Sequence, residues 1–140
     1  SLADWKTLDD LDIPSQGGKF VLSWSWHPQP MPLAIPAATV HMAAMRGMEV
    51  TVLRPQGYEL PDQIMERARA VATLSGGSVT ETDNRHIAME GAHVIYVNSW
   101  TSQRHYGDIR AEDDFKHELR NWCVDEPWFS NAAIDLKQVK

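Results

Sequence analysis

Lys19-Phe20-Val21-Leu22-Ser23-Trp24-Ser25-Trp26-His27-Pro28-Gln29-Pro30-Met31-Pro32 is the stretch that decides how this chain folds. Residues 19 to 26, rich in aromatic and aliphatic side chains, predict a buried strand. Prolines at 28, 30 and 32 end it, because proline lacks the amide donor that a sheet ladder needs. Open α/β sheets bind ligands outside the carboxyl ends of their strands, so residues 27 to 32, headed by His27, are the first candidate binding element.

The pattern continues downstream. Leu33 to Arg46 reads as a helix, with Pro36 in its first turn and Gly47 at its end, and Met48 to Leu53 as a second strand. Pro55-Gln56-Gly57 turns the chain into a helix that starts at Leu60-Pro61-Asp62. Ile64, Ala68, Val71 and Ala72 supply its buried stripe, and Ser75-Gly76-Gly77 stops it. Ser78 to Thr82 is a short polar strand suited to a sheet edge. Asp83 or Asn84 caps a short helix through Met89, and His93 to Val97 is the fourth strand. The polar loop Asn98 to Asp108 that follows exceeds the ~2 to 6 residues usual for such a connection, and long loops often carry function.

The ends are less regular. Leu2, Trp5, Leu8 and Leu11 form one helical stripe before a turn at Pro14 to Gly18. Beyond the long loop, Phe115 and Leu119 mark a helix, Trp122 to Val124 a brief extended segment, and Asp125 with Pro127 a last short helix near Trp128 and Phe129.

Strands alternating with helices predict a single α/β domain over residues 1 to 140, three-layered and Rossmann-like, with a mainly parallel sheet. The order 3-2-1-4 is the expectation, so the sheet reverses direction between its first and fourth strands. That switch point would bring His27 and Asn98 to Trp100 to one carboxyl edge, although they lie about seventy residues apart.

Composition narrows the partners. Thirteen basic against nineteen acidic side chains give a net charge of −6, and no basic cluster exceeds a pair, which disfavours nucleic acid and anionic membranes. A small molecule fits better. Cys123 is the single cysteine, so no internal disulfide can form, and no apolar run approaches the ~20 residues of a membrane helix. The expectation is a cytoplasmic protein.

Chemistry-bearing motifs are few. Gly17-Gly18 and Gly76-Gly77 precede strands, whereas a phosphate-cradling loop follows a strand and opens a helix. No G-x-G-x-x-G follows the first strand, so no cofactor is expected. The six histidines form no i, i+4 pair and join no second cysteine, so no metal site is expected either. Cys123 reads as a small buried hydrophobe, and no serine sits in a nucleophile elbow. Trp24 and Trp26 share one strand face and read as core, whereas Trp100, in the long polar loop, reads equally as a partly exposed ligand contact or as packing.

Three runs carry a family resemblance: Trp26 to Pro36, Gly47 to Leu60 and Gly91 to Trp100. Together they resemble the second, amino-acid-binding domain of the aspartate/ornithine carbamoyltransferases, within it the branch acting on N-acetyl- or N-succinylornithine. The likeness runs from Leu2 to about Phe129. It implies a subunit of two domains, usually a homotrimer, whose first domain binds carbamoyl phosphate while the second binds an N-acylornithine for arginine biosynthesis. It also implies that His27, Pro28, Pro30 and Pro32 shape one wall of the amino-acid pocket, with Asn98, Ser99 and Trp100 opposite. No residue of this chain is assigned a catalytic role.

Ornithine enzymes carry aspartate where Asn98 stands, and the N-acylornithine branch usually carries lysine, so this chain departs from both. Pro32 resembles the succinyl type. The family's phosphate-binding Ser-x-Arg-Thr-Arg segment does not occur in the sequence, and Ile134 to Lys140 stands where His-Cys-Leu-Pro would supply the fifth strand. A fifth strand missing or altered, and a chain inactive without a carbamoyl-phosphate domain, are the resulting expectations. The alternative is a non-catalytic binding or assembly module on the same fold.

Overall fold

The computed structural model describes residues 18–27, 31–102, 119, 122 and 137–139. Five parallel strands form one sheet in the order β3-β2-β1-β4-β5: β1 Lys19–Trp24, β2 Glu49–Leu53, β3 Ser78–Thr82, β4 Val94–Asn98 and β5 Lys137–Val139. Between them lie α1 Ala34–Met45, α2 Asp62–Ser75 and α3 Arg85–Met89. The 3-2-1-4 order is present, and Ser78–Thr82 is an outer strand as its polar sequence predicts.

Of the two expectations for the fifth strand, missing or altered, the second holds. It is not missing: Lys137-Gln138-Val139 pairs with Val94, Ile95 and Tyr96, so β4 is interior and β5 forms the far edge. Three residues, two of them polar, suffice there, because an edge strand needs one partner only. The leading helix, Pro28, Pro30, the loop past Ser102 and the elements expected around Phe115 and Phe129 lie outside the described residues.

Strand alternation divides the interior in two. Phe20, Leu22 and Trp24 face one core with Val50, Val52, Val94 and the buried sides of α1 and α2; Val21, Leu53 and Ile95 face a second with Ala88 and Met89 of α3. Each fully buried large side chain contributes roughly 1.5 to 3 kcal/mol, so β1, buried along both faces, is the centre of the fold. The helices end where the sequence expects them to. Gly76 closes α2 at φ 86°, a left-handed conformation that favours glycine, and its amide reaches the Ala72 carbonyl. Gly77 packs so tightly that a Cβ there would lie 2.5 Å from the Met48 carbonyl oxygen. Asn84, its side chain accepting from the Ile87 amide, caps α3.

β1 stops two residues short of the predicted span. Ser25 still donates to the Asn98 carbonyl at 2.9 Å, but the Trp26 amide turns away to the Trp122 carbonyl, also at 2.9 Å. The strand ends where its backbone exchanges a sheet neighbour for a loop.

Candidate functional site

The candidate site lies where β1 and β4 end side by side. Trp24 is in register with Asn98, so Ser25 to His27 and Ser99 to Ser102 leave the sheet side by side. The residues after them are tied together: Thr101 donates to the Met31 carbonyl from its amide at 3.0 Å and from its hydroxyl at 2.9 Å. The two loops that the sequence separates by about seventy residues are therefore one structural unit at the switch point.

A third segment backs that unit. The Trp100 indole donates to the Tyr58 carbonyl at 2.8 Å, and the Ser102 hydroxyl to the Gly57 carbonyl at 2.7 Å. The Trp24 indole donates to the Trp100 carbonyl at 2.9 Å, while the Trp24 and Tyr58 rings pack at 4.6 Å between centroids. Tyr58 and Ser102 were not among the residues the sequence singles out. The available signal was an aromatic in a Pro-Gln-Gly turn, since a large ring in a tight polar connection needs a core to enter.

The predicted residues fall into distinct roles. His27 is half-buried at the end of β1, and Pro32 is exposed before α1; Pro28 and Pro30 lie outside the described residues. Asn98 is half-buried at the end of β4, its Oδ1 accepting from the Ser99 amide at 2.7 Å, and Ser99 is 8% exposed. Trp100 is 1% exposed, which corrects the expectation of a partly exposed ring. Its edge-polar indole has found a carbonyl in the core, and its contribution is to anchor the loop. Trp26 packs on the first core, but its indole nitrogen is buried without an acceptor, a cost of about 1 to 3 kcal/mol.

A hollow of about 580 Å³ opens at the ends of β2 and β3 among Arg54, Gln56, Glu59, Glu81 and Asp83. Its charges answer one another. Arg54 Nε lies 3.3 Å from a Glu81 carboxylate oxygen, close but not aligned as a hydrogen bond; the same oxygen accepts from the Leu60 amide at 3.0 Å. Gln56 donates to Asp83 at 3.3 Å. Among the described residues no group of three or more His, Cys, Asp or Glu is placed to hold a metal, and no helix is long and apolar enough to cross a membrane.

Known proteins match this architecture. The N-acetylornithine carbamoyltransferase of Xanthomonas campestris pv. campestris is 32% identical over 112 residues, which are 79% of this chain and 33% of the relative. The ornithine carbamoyltransferase of Wolinella succinogenes is 32% identical over 94 residues, 67% of this chain and 30% of its own length. The crystal structure of an N-acetyl-L-ornithine transcarbamylase superposes with a TM-score of 0.86 at 28% identity, over 94% of this chain and 40% of that one; an acetylornithine transcarbamylase complexed with acetylcitrulline gives the same values. The chain thus spans about a third of the length of the curated relatives it matches. The family model for the Asp/Orn binding domain covers residues 36–137, and the chain belongs to the aspartate/ornithine carbamoyltransferase family.

Proposed function

We propose that this chain is the amino-acid-binding domain of a carbamoyltransferase that carbamoylates the δ-amine of an N-acylornithine in arginine biosynthesis. The observation that carries the reading is the joining of the His27 loop to the Asn98 to Ser102 loop at the sheet's switch point, where doubly wound sheets take their ligands. Relatives named for N-acetylornithine support the substrate class.

In this reading His27 and Pro28, Pro30 and Pro32 form one wall of the pocket, and Asn98 and Ser99 the other, while Trp100 holds the second wall in place. The δ-amine nitrogen attacks the carbamoyl carbon of carbamoyl phosphate. The bond from that carbon to the phosphate oxygen breaks, phosphate leaves with the electron pair, and the nitrogen gives up a proton. Binding in one orientation is this domain's part in catalysis, since holding two reactants in place lowers the barrier without a covalent intermediate. Carbamoyl phosphate would be held by another domain of the same subunit, because the resemblance places its Ser-x-Arg-Thr-Arg motif there and the present sequence has none. Assembly into a homotrimer and a cytoplasmic location belong to the same proposal.

Calorimetric titration of the chain with N-acetyl-L-ornithine, N-succinyl-L-ornithine and L-ornithine tests it. Heat with at least one of the three is expected, and no carbamoyl transfer by the chain alone. The second reading, a non-catalytic module, is favoured by β5 being Lys137-Gln138-Val139 where the family motif would stand. Binding of none of the three, even with a relative's carbamoyl-phosphate domain supplied in trans, would establish it.

A further inference from the structure

The hollow at the ends of β2 and β3 has no role in the function proposed above, yet its floor is firmly built. The Arg54 amide donates to the Thr82 carbonyl at 3.1 Å, which carries the pairing of β2 with β3 one residue past the strand and mounts the guanidinium on the sheet. Two acids beside it are pinned by backbone amides. Glu81 Oε2 accepts from Leu60 at 3.0 Å, and Glu59 Oε1 from Gly57 at 3.2 Å. The space of about 580 Å³ between these groups lies within the ~300 to 1,000 Å³ typical of small-ligand pockets.

The internal pairing of charges is incomplete in two respects. Arg54 is 12% exposed, but neither of its ion pairs is a hydrogen bond: the contact of Nε with Glu81, at 3.3 Å, is misaligned, and that of Nη2 with Glu59 is 4.0 Å long. Its planar fork of donors therefore faces the hollow without an aligned acceptor among the described residues. Asp83 is exposed, and among the described residues its carboxylate meets the Gln56 amide at 3.3 Å and no cation. Three carboxylates against one guanidinium give this lining a surplus of negative charge.

That surplus opposes a simple anion, and a simple cation would leave the Arg54 fork unused. A molecule with one carboxylate and more than one cationic group satisfies both. We propose that the hollow is a second ligand site, which takes an α-amino acid with a basic side chain. The ligand's carboxylate accepts from the terminal N–H groups of Arg54, the two-pronged pairing that guanidinium and carboxylate favour, and its cationic groups lie against Asp83 and Glu59. The proposal does not depend on what the loops after β1 and β4 bind.

The probes are L-arginine and agmatine, which is arginine without its carboxylate, each titrated into the whole chain and followed in ¹H–¹⁵N maps. L-arginine at millimolar concentration should shift the amides of Gln56, Gly57, Glu59, Thr82 and Asp83 to saturation. Agmatine should bind severalfold more weakly. Asp83→Asn, a change at an exposed side chain that should leave the chain folded, should weaken L-arginine by a similar factor, the scale of one solvent-exposed ion pair. Agmatine binding as tightly as L-arginine would overturn the pairing of carboxylate with Arg54. Absence of these shifts, or equal affinity in the wild type and Asp83→Asn, would overturn the site. N-acetyl-L-ornithine reports on the loops after β1 and β4 through different amides, so failure at either place is read separately from failure at the other.

Discussion

Two regions share the carboxyl edge of the sheet, a charged hollow at β2 and β3 and the joined loops after β1 and β4, and they differ in what their polar groups are doing. The one at β2 and β3 is large, charged and self-answering: Arg54, 12% exposed, sits against Glu81, 15% exposed, and within 4.0 Å of Glu59. The described residues that follow β1 and β4, 25–27, 31–33 and 99–102, include no Asp, Glu, Lys or Arg and are braced by buried indoles and hydroxyls bonded to backbone carbonyls. Size and charge would select the first. Topology favours the second, where buried side chains hold two loops at the switch point, because a binding group must be held by its surroundings.

The bracing can be broken in graded steps. Trp100→Ala should have the largest effect. It empties a fully buried site and strands the Tyr58 carbonyl, so a loss of about 3 to 5 kcal/mol in chemical denaturation is expected, together with loss of ligand binding. Next come the two strand tryptophans, which look equivalent in sequence. Trp24→Phe removes an indole bonded to the Trp100 carbonyl and should cost about 2 kcal/mol, whereas Trp26→Phe removes an unpartnered donor and should cost under about 1 kcal/mol. Equal losses from the two would contradict the account of the frame behind the two loops.

The charged hollow supplies the control. Glu81→Ala breaks the contact with Arg54 and frees the Leu60 amide, so about 2 kcal/mol of stability should go, with little change in ligand affinity. The smallest effect is expected from Asn84→Ala, where losing the α3 cap should cost about 0.5 to 1 kcal/mol. A Glu81→Ala chain that stays stable but binds N-acetyl-L-ornithine tenfold more weakly would reassign the site to the β2 and β3 hollow.

The fold was largely legible in the chain because its signals are local. Hydrophobic runs at 19 to 24, 49 to 53 and 94 to 98, the Gly76-Gly77 stop and the Asn84 cap each act within a few residues of themselves. The convergence of His27 with Asn98 followed from strand order. What sequence could not show was which groups remain free. Trp100 reads equally as ligand contact or as packing while only its polar sequence neighbours are known, and its neighbours in space, Tyr58 and Trp24 from two other segments, decide for packing. Likewise β5 is hard to read in a sequence without an apolar run there, yet an outer strand needs backbone pairing with one neighbour only, here β4.

The most direct measurement is a ¹H–¹⁵N map of the chain titrated with N-acetyl-L-ornithine. The account predicts that shifts concentrate on the amides of Ser25 to His27 and Asn98 to Ser102 and on the Asn98 side-chain amide. Shifts confined to Arg54 to Glu59 and Glu81 to Asp83, or spread evenly across the sheet, would contradict it.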